Sequence, residues 1–158
     1  MGDPRWLTER ELKTWQGFLM AGTLLTRKVE QQLRDDAGLS HPQYEVLARL
    51  AAADGELRMT ELAGAALTSK SGLSYQVAQL EKAGLVGRRS CPSDDRGVIA
   101  YLTDEGHARL RATAAGHAEL VRTLFVDGLN PEQFTALADG VDALCGHLCT
   151  GEPCVEAS

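Results

Sequence analysis

Along the first quarter of the chain, Leu12, Trp15, Leu19, Gly22, Thr26, Val29 and Leu33 step by three and four, and Phe18 and Leu25 widen the stripe they form. That spacing predicts one long helix from about Thr8 to Asp36, opened by a Thr8/Glu11 capping box and closed at Gly38. Ser40-His41-Pro42 then opens a second helix over about 43–53, with Val46, Leu47 and Leu50 turned inward, and it ends at Asp54-Gly55. Residues 56–58 lead on to a short helix at 59–66, which buries Leu62, Ala63 and Ala66, and Leu67-Thr68-Ser69 supplies a turn and a hydroxyl N-cap. From Ser69 to Ala83 the apolar stripe is narrow, Leu73, Val77 and Leu80, and the opposite face carries Ser71, Tyr75, Ala78 and Gln79 beside Gly72 and Ser74.

Past Gly84 the period changes from helical to extended. Leu85 to Ser90 reads as a strand and Val98 to Leu102 as its antiparallel partner, joined by the turn-forming loop Cys91-Pro92-Ser93-Asp94-Asp95-Arg96-Gly97. Thr103 caps another helix, with acid in its first turn, which runs through Leu110, Ala114, Val121, Leu124 and Phe125 to about Val126. Asn130-Pro131-Glu132-Gln133 opens the last helix, where Phe134, Leu137, Val141, Leu144 and Leu148 recur at three and four. The predicted class is therefore mainly α with a small two-stranded β-wing: a winged helix-turn-helix over 39–102, an N-terminal dimerisation helix over 1–38, C-terminal connecting and dimerisation helices over 103–149, and a disordered tail over 150–158. The two long terminal helices are more apolar on one side than a single small lobe can cover, so a second copy of the chain is the expected partner.

Composition changes this picture in one respect. The net charge of -6 argues against nucleic acid until its distribution is considered. Residues 58–97 hold six basic residues against four acidic, a local +2, and the rest of the chain carries -8, so the winged region is the positive end. No apolar run approaches the roughly 20 residues needed to span a bilayer, and residues 1–5 open no signal peptide, which points to a cytoplasmic protein without membrane attachment. No phosphate loop, zinc-protease pair or nucleophile elbow is present, so an enzyme is not expected. Nothing in the residue pattern requires a cofactor.

Five pieces of sequence, in order and at fixed spacing, carry a family resemblance: Met59-Thr60-Glu61-Leu62-Ala63, Ser69-Lys70-Ser71-Gly72-Leu73-Ser74, Leu80-Glu81-Lys82-Ala83-Gly84-Leu85-Val86, Asp94-Asp95-Arg96, and Leu102-Thr103-Asp104-Glu105-Gly106. Together they resemble the MarR family of bacterial transcription regulators. Many members carry Arg where this chain has Tyr75 and Gln79, and a second wing Arg where it has Gly97. The resemblance implies a homodimeric regulator, a repressor on a palindromic double-stranded DNA operator, released by a small aromatic or phenolic effector bound between the dimer helices and the winged helix.

The residues suited to DNA are Ser69, Lys70, Ser71, Ser74, Tyr75, Gln76 and Gln79 on the second helix of the motif, Arg89 on the strand and Arg96 at the wing. The helix face is polar, compact and free of carboxylates, which suits the major groove, and a lone guanidinium on a ribbon suits the minor groove. Of Arg88 and Arg89, on opposite sides of one strand, one is expected to face phosphate and the other to pair with a wing carboxylate. Trp15, Phe18 and Leu19 with Tyr44 and Leu47 are expected to converge near the helix starting at Thr103, with His41 as polar handle, as an apolar effector pocket. Cys91, expected to be exposed in the wing, and Cys145 and Cys149, four apart near the last helix end, are the candidates for thiol redox chemistry. The histidines 41, 107, 117 and 147 form no metal spacing. Two other readings fit the same residues: a thiol-redox-responsive regulator, and a winged-helix protein-interaction module without DNA binding.

Overall fold

The computed structural model describes residues 4–65 and 69–149. The predicted tail, with Cys154, lies outside them, as do Ala66 and the turn at Leu67-Thr68. Ten elements follow in order: α1 (Glu9–Ala37), α2 (His41–Ala52), β1 (Glu56–Arg58), α3 (Met59–Ala65), α4 (Lys70–Lys82), β2 (Val86–Cys91), β3 (Asp94–Leu102), α5 (Asp104–Val121), a π-helical turn (Arg122–Val126) and α6 (Pro131–Leu148).

The helix starts are set by side-chain caps. Thr8, Ser40 and Asn130 each close a capping box with the residue three places on, and Ser69 and Thr103 accept the N–H groups of Gly72 and Gly106. Gly38 ends α1 in the left-handed region (φ 65°), where a side chain would be strained. Asp54, also at positive φ, and the glycine after it reverse the chain into β1.

That strand is a finding the pattern did not predict. Three residues are too few to show alternation, yet Glu56, Leu57 and Arg58 pair with Tyr101, Ala100 and Ile99, so the wing is the outer part of a three-stranded antiparallel sheet in the order β1-β3-β2. The ribbon also extends further than expected. Asp94 to Gly97 belong to β3, and just Pro92 and Ser93 form the turn. Near α5's end the predicted continuous helix gives way to a π turn at Arg122–Val126.

One core joins Leu33 of α1, Tyr44, Leu47 and Leu50 of α2, Leu62 of α3, Leu73, Val77 and Leu80 of α4, and Leu85, Val86, Ala100 and Leu102 of the sheet. The burial is strongly one-sided along the chain. Of the 29 residues of α1 just Leu33 and Ala37 are buried, and of the 18 of α6 none is. α1 meets α5 through the Arg109 guanidinium, which donates to the Ala37 carbonyl at 2.8 Å, and through Leu25 and Val29 beside Leu120 and Val121, while Phe134 of α6 meets Phe125 edge to face with ring centroids 6.1 Å apart.

Candidate nucleic-acid interface

Leu73, Val77 and Leu80 anchor α4 in the core, which fixes what the other side presents. Ser69, Lys70, Ser71, Ser74 and Tyr75 are exposed, Tyr75 at 61 %, and Gln76 and Gln79 are half-buried beside them. The Ser69 hydroxyl accepts the Gly72 N–H at 3.1 Å and lies 3.2 Å from the Ser71 hydroxyl. No acid lies in the first turn, so the positive end of the helix dipole is unopposed. The one carboxylate of α4, Glu81, is at its far end.

The wing places Arg96 on the outer ribbon. Asp94 does not neutralise it: its carboxylate accepts the Arg96 backbone N–H at 3.0 Å and faces Arg58 at 3.9 Å, leaving the Arg96 guanidinium exposed. Arg58 also donates to the Ser93 hydroxyl at 3.2 Å, bracing the turn.

The two strand arginines differ from expectation. Arg89, expected to face phosphate, is held by Glu56 of β1 at 2.6 Å, and Arg88 is held by Glu81 rather than by a wing carboxylate. Neither pairing shows in sequence, because Arg89 reaches Glu56 across the intervening β3, whose register with both outer strands puts the two side chains on one face, and Arg88 reaches a helix packed on the other.

Cys91, expected to be exposed, is buried at 6 %. The thiol keeps the side of the sheet that Arg89 and Ile99 share, lines a shallow recess with them, and lies 3.3 Å from the Ser93 hydroxyl. Hydrogen bonds from the Ser93 side chain and backbone hold the thiol below its ordinary range, against some burial. Gly97 is tight against it: a Cβ there would approach the Cys91 Cβ to 2.8 Å, so a larger residue would need the ribbon backbone to shift. Cys145 is exposed on α6, and Cys149 caps that helix, its N–H donating to the Cys145 carbonyl at 2.9 Å.

The expected effector pocket does not assemble within one chain. Trp15, Phe18 and Leu19 lie exposed on the outer half of α1, whereas His41 is fastened to Glu30, whose carboxylate accepts the His41 backbone N–H at 2.7 Å. Trp15 is fifteen residues from Glu30 along one helix, roughly 22 Å at the helical rise, so the two groups cannot share a site in a single subunit. Leu47 is plain core, 0 % exposed. What gathers at the junction of α1, α2 and α5 is a polar cluster that sequence reasoning missed. Tyr44 packs against His117 with ring centroids 4.6 Å apart, and the His41 ring lies 3.6 Å from Glu45. Glu45 and then Glu30 hold His41 above its ordinary value against burial, while burial first and the charge of His41 second hold His117 below. No periodicity marks a lone histidine such as His117. Among the described residues no group of His, Cys, Asp and Glu could hold a metal ion, and no helix is long and apolar enough to cross a membrane.

Residues 37–97, from the end of α1 to the wing, match the MarR family. The transcriptional regulator HosA of Escherichia coli O111:H- is 32 % identical over 108 residues, which cover 68 % of this chain and 76 % of HosA. Among solved structures, Sco3205 of Streptomyces coelicolor, a MarR family transcriptional regulator in complex with DNA, superposes with a TM-score of 0.90 at 44 % identity, covering 96 % of this chain and 95 % of that one. AbsC, a MarR family regulator of the same organism, gives 0.86 at 40 %, covering 92 % and 98 %.

Proposed function

The chain belongs to the MarR family of transcription regulators, and from that premise we propose that it is a cytoplasmic repressor which, as a homodimer, binds a palindromic operator in double-stranded DNA. The observation that carries the DNA reading is the carboxylate-free outer face of α4, Ser71, Ser74, Tyr75 and Gln79, beside the unneutralised Arg96 of the wing. Sco3205, bound to DNA, supports the same use of the lobe. The dimer reading rests on the apolar faces that the single chain leaves bare: Trp15 and Phe18 of α1, each about half exposed, and Leu144 and Leu148 of α6 at 43 % and 71 %. A helix of 18 residues with none buried draws little stability from its own chain, and a second copy supplies the cover. Residues 1–38 and 103–149 then form the dimer body and 39–102 the reader.

A small aromatic or phenolic effector acts in this account at the α1–α2–α5 junction beside His41 and Tyr44, where the reader meets the body. A tenfold release of DNA needs about 1.4 kcal/mol of preference for the released geometry. Trp15, Phe18 and Leu19 belong to the dimer seam. The test of the reader is a set of three variants. Arg96→Ala weakens DNA binding by roughly 1–3 kcal/mol and lowers its salt dependence, whereas Tyr75→Ala and Gln79→Ala change which bases are preferred. Unchanged binding in all three removes this surface from the account.

A further inference from the structure

The wing and the recognition helix α4 must meet DNA at a fixed relative position, yet the ribbon β2–β3 projects from the lobe as two strands. From Arg88 to the turn at Ser93 is five residues, a lever of roughly 17 Å at the strand rise. A swing of about 10° at its base would carry the tip by roughly 3 Å, enough to take Arg96 out of a groove about 6 Å wide. Something near the base has to hold the angle.

We propose that Glu81 and Arg88 form a positioning pair that locks the wing to the recognition helix, so that neither side chain is a DNA contact. The geometry is fork to fork: Arg88 Nε donates to one Glu81 carboxylate oxygen at 3.3 Å and Nη2 to the other at 2.9 Å. Two parallel bonds fix an angle where one would act as a swivel. Glu81 is otherwise a poorly placed residue. As the one carboxylate of α4 it sits at the helix C-terminal end, where the dipole disfavours negative charge, and it lies in the lobe that approaches phosphate. Its Arg88 partner compensates for both, and holds its carboxyl below the ordinary range. On the other side of the same strand Arg89 reaches across β3 to Glu56 of β1 at 2.6 Å, so β2 is tied on each face.

The inference rests on the DNA reading above, so its test carries one arm without DNA. In the full-length protein, Glu81→Gln, Arg88→Gln and the double exchange Glu81→Arg/Arg88→Glu are compared for hydrogen exchange of the β2–β3 amides in the free protein. They are also compared for affinity toward a selected operator and toward random-sequence DNA across salt. Both single variants are expected to speed ribbon exchange and to lower operator affinity about tenfold, leaving random-sequence affinity and salt slope as in the parent, and the exchange variant is expected to recover part of each loss. The Glu81→Gln result is the sharpest, since removing a negative charge strengthens DNA binding if charge alone matters. Tighter binding by Glu81→Gln, a salt slope smaller by about 0.9 in Arg88→Gln, or unchanged ribbon exchange in both would overturn the pairing role. A parent protein that binds no DNA, with ribbon exchange still responding to the pair, would instead count against the DNA reading.

Discussion

Gly106 sits in the first turn of α5, buried against the strand that follows the recognition helix. A Cβ at this position would overlap the Leu85 carbonyl oxygen outright, lie 3.0 Å from the carbonyl carbon, and press the Leu102 side chain at 3.1 Å. The obstacle is backbone that cannot rotate away. The Leu85 carbonyl is engaged by the Thr103 N–H at 3.2 Å, and the Thr103 hydroxyl donates to the Gly84 carbonyl at 2.6 Å, so α5 and the end of α4 are bound together just there. In Gly106→Ala the start of α5 must back away by roughly 1 Å, which places the substitution at the upper end of overpacking costs, about 3 kcal/mol. The better helix propensity of Ala returns about 1 kcal/mol. The net loss of about 2 kcal/mol corresponds to a Tm lower by roughly 4–8 °C for a chain of this size. Melting followed by circular dichroism at one fixed protein concentration measures it, since a dimer's Tm depends on concentration. Gly64→Ala, where nothing lies within 4 Å of the added methyl, is the control and should not lower Tm. Because the displaced contact joins α5 to the recognition helix, DNA affinity should fall as well. A Gly106→Ala protein as stable as its parent would refute the packing argument.

Leu144→Asp puts a charge in the exposed seam of α6 and should give monomers by light scattering together with loss of DNA binding; a persistent dimer would move the seam elsewhere. The histidine pair predicts a two-sided pH profile of stability. His41, raised by Glu45, contributes fully below the ordinary histidine value of roughly 6.5 and its contribution fades as pH rises through the raised value. His117, lowered by burial, acts in the opposite sense: stability is full above that ordinary value and drains as pH falls toward the lowered one. Tm should therefore peak near the ordinary value, with His117→Phe flattening the acid side and His41→Gln the alkaline side; limbs that survive both changes would assign the profile to other groups.

Much of the architecture could be read from the chain because it is dictated locally. Thr8, Ser40, Ser69, Thr103 and Asn130 cap their helices through residues three positions away, and Leu73, Val77 and Leu80 share a face whatever they pack against. What escaped depends on partners far along the chain. β1 is three residues whose strand character comes from β3, Cys91 is covered from across the ribbon where Gly97 of β3 lies against it, and Arg89 finds Glu56 at a separation of 33 residues. The stripe through Trp15 and Phe18 was legible as a stripe, but a helical period does not say what covers it, and within one chain nothing brings those rings to Tyr44 or His41.

In the proposed dimer, two copies of this lobe read one symmetric site. Selection of bound fragments from random-sequence DNA by the full-length protein tests it most directly. The account predicts enrichment of one motif repeated about a two-fold axis, with half-site centres about 10 bp apart, and loss of binding when five base pairs are inserted between the halves. No enrichment, or a single unpaired motif that tolerates the insertion, would contradict it.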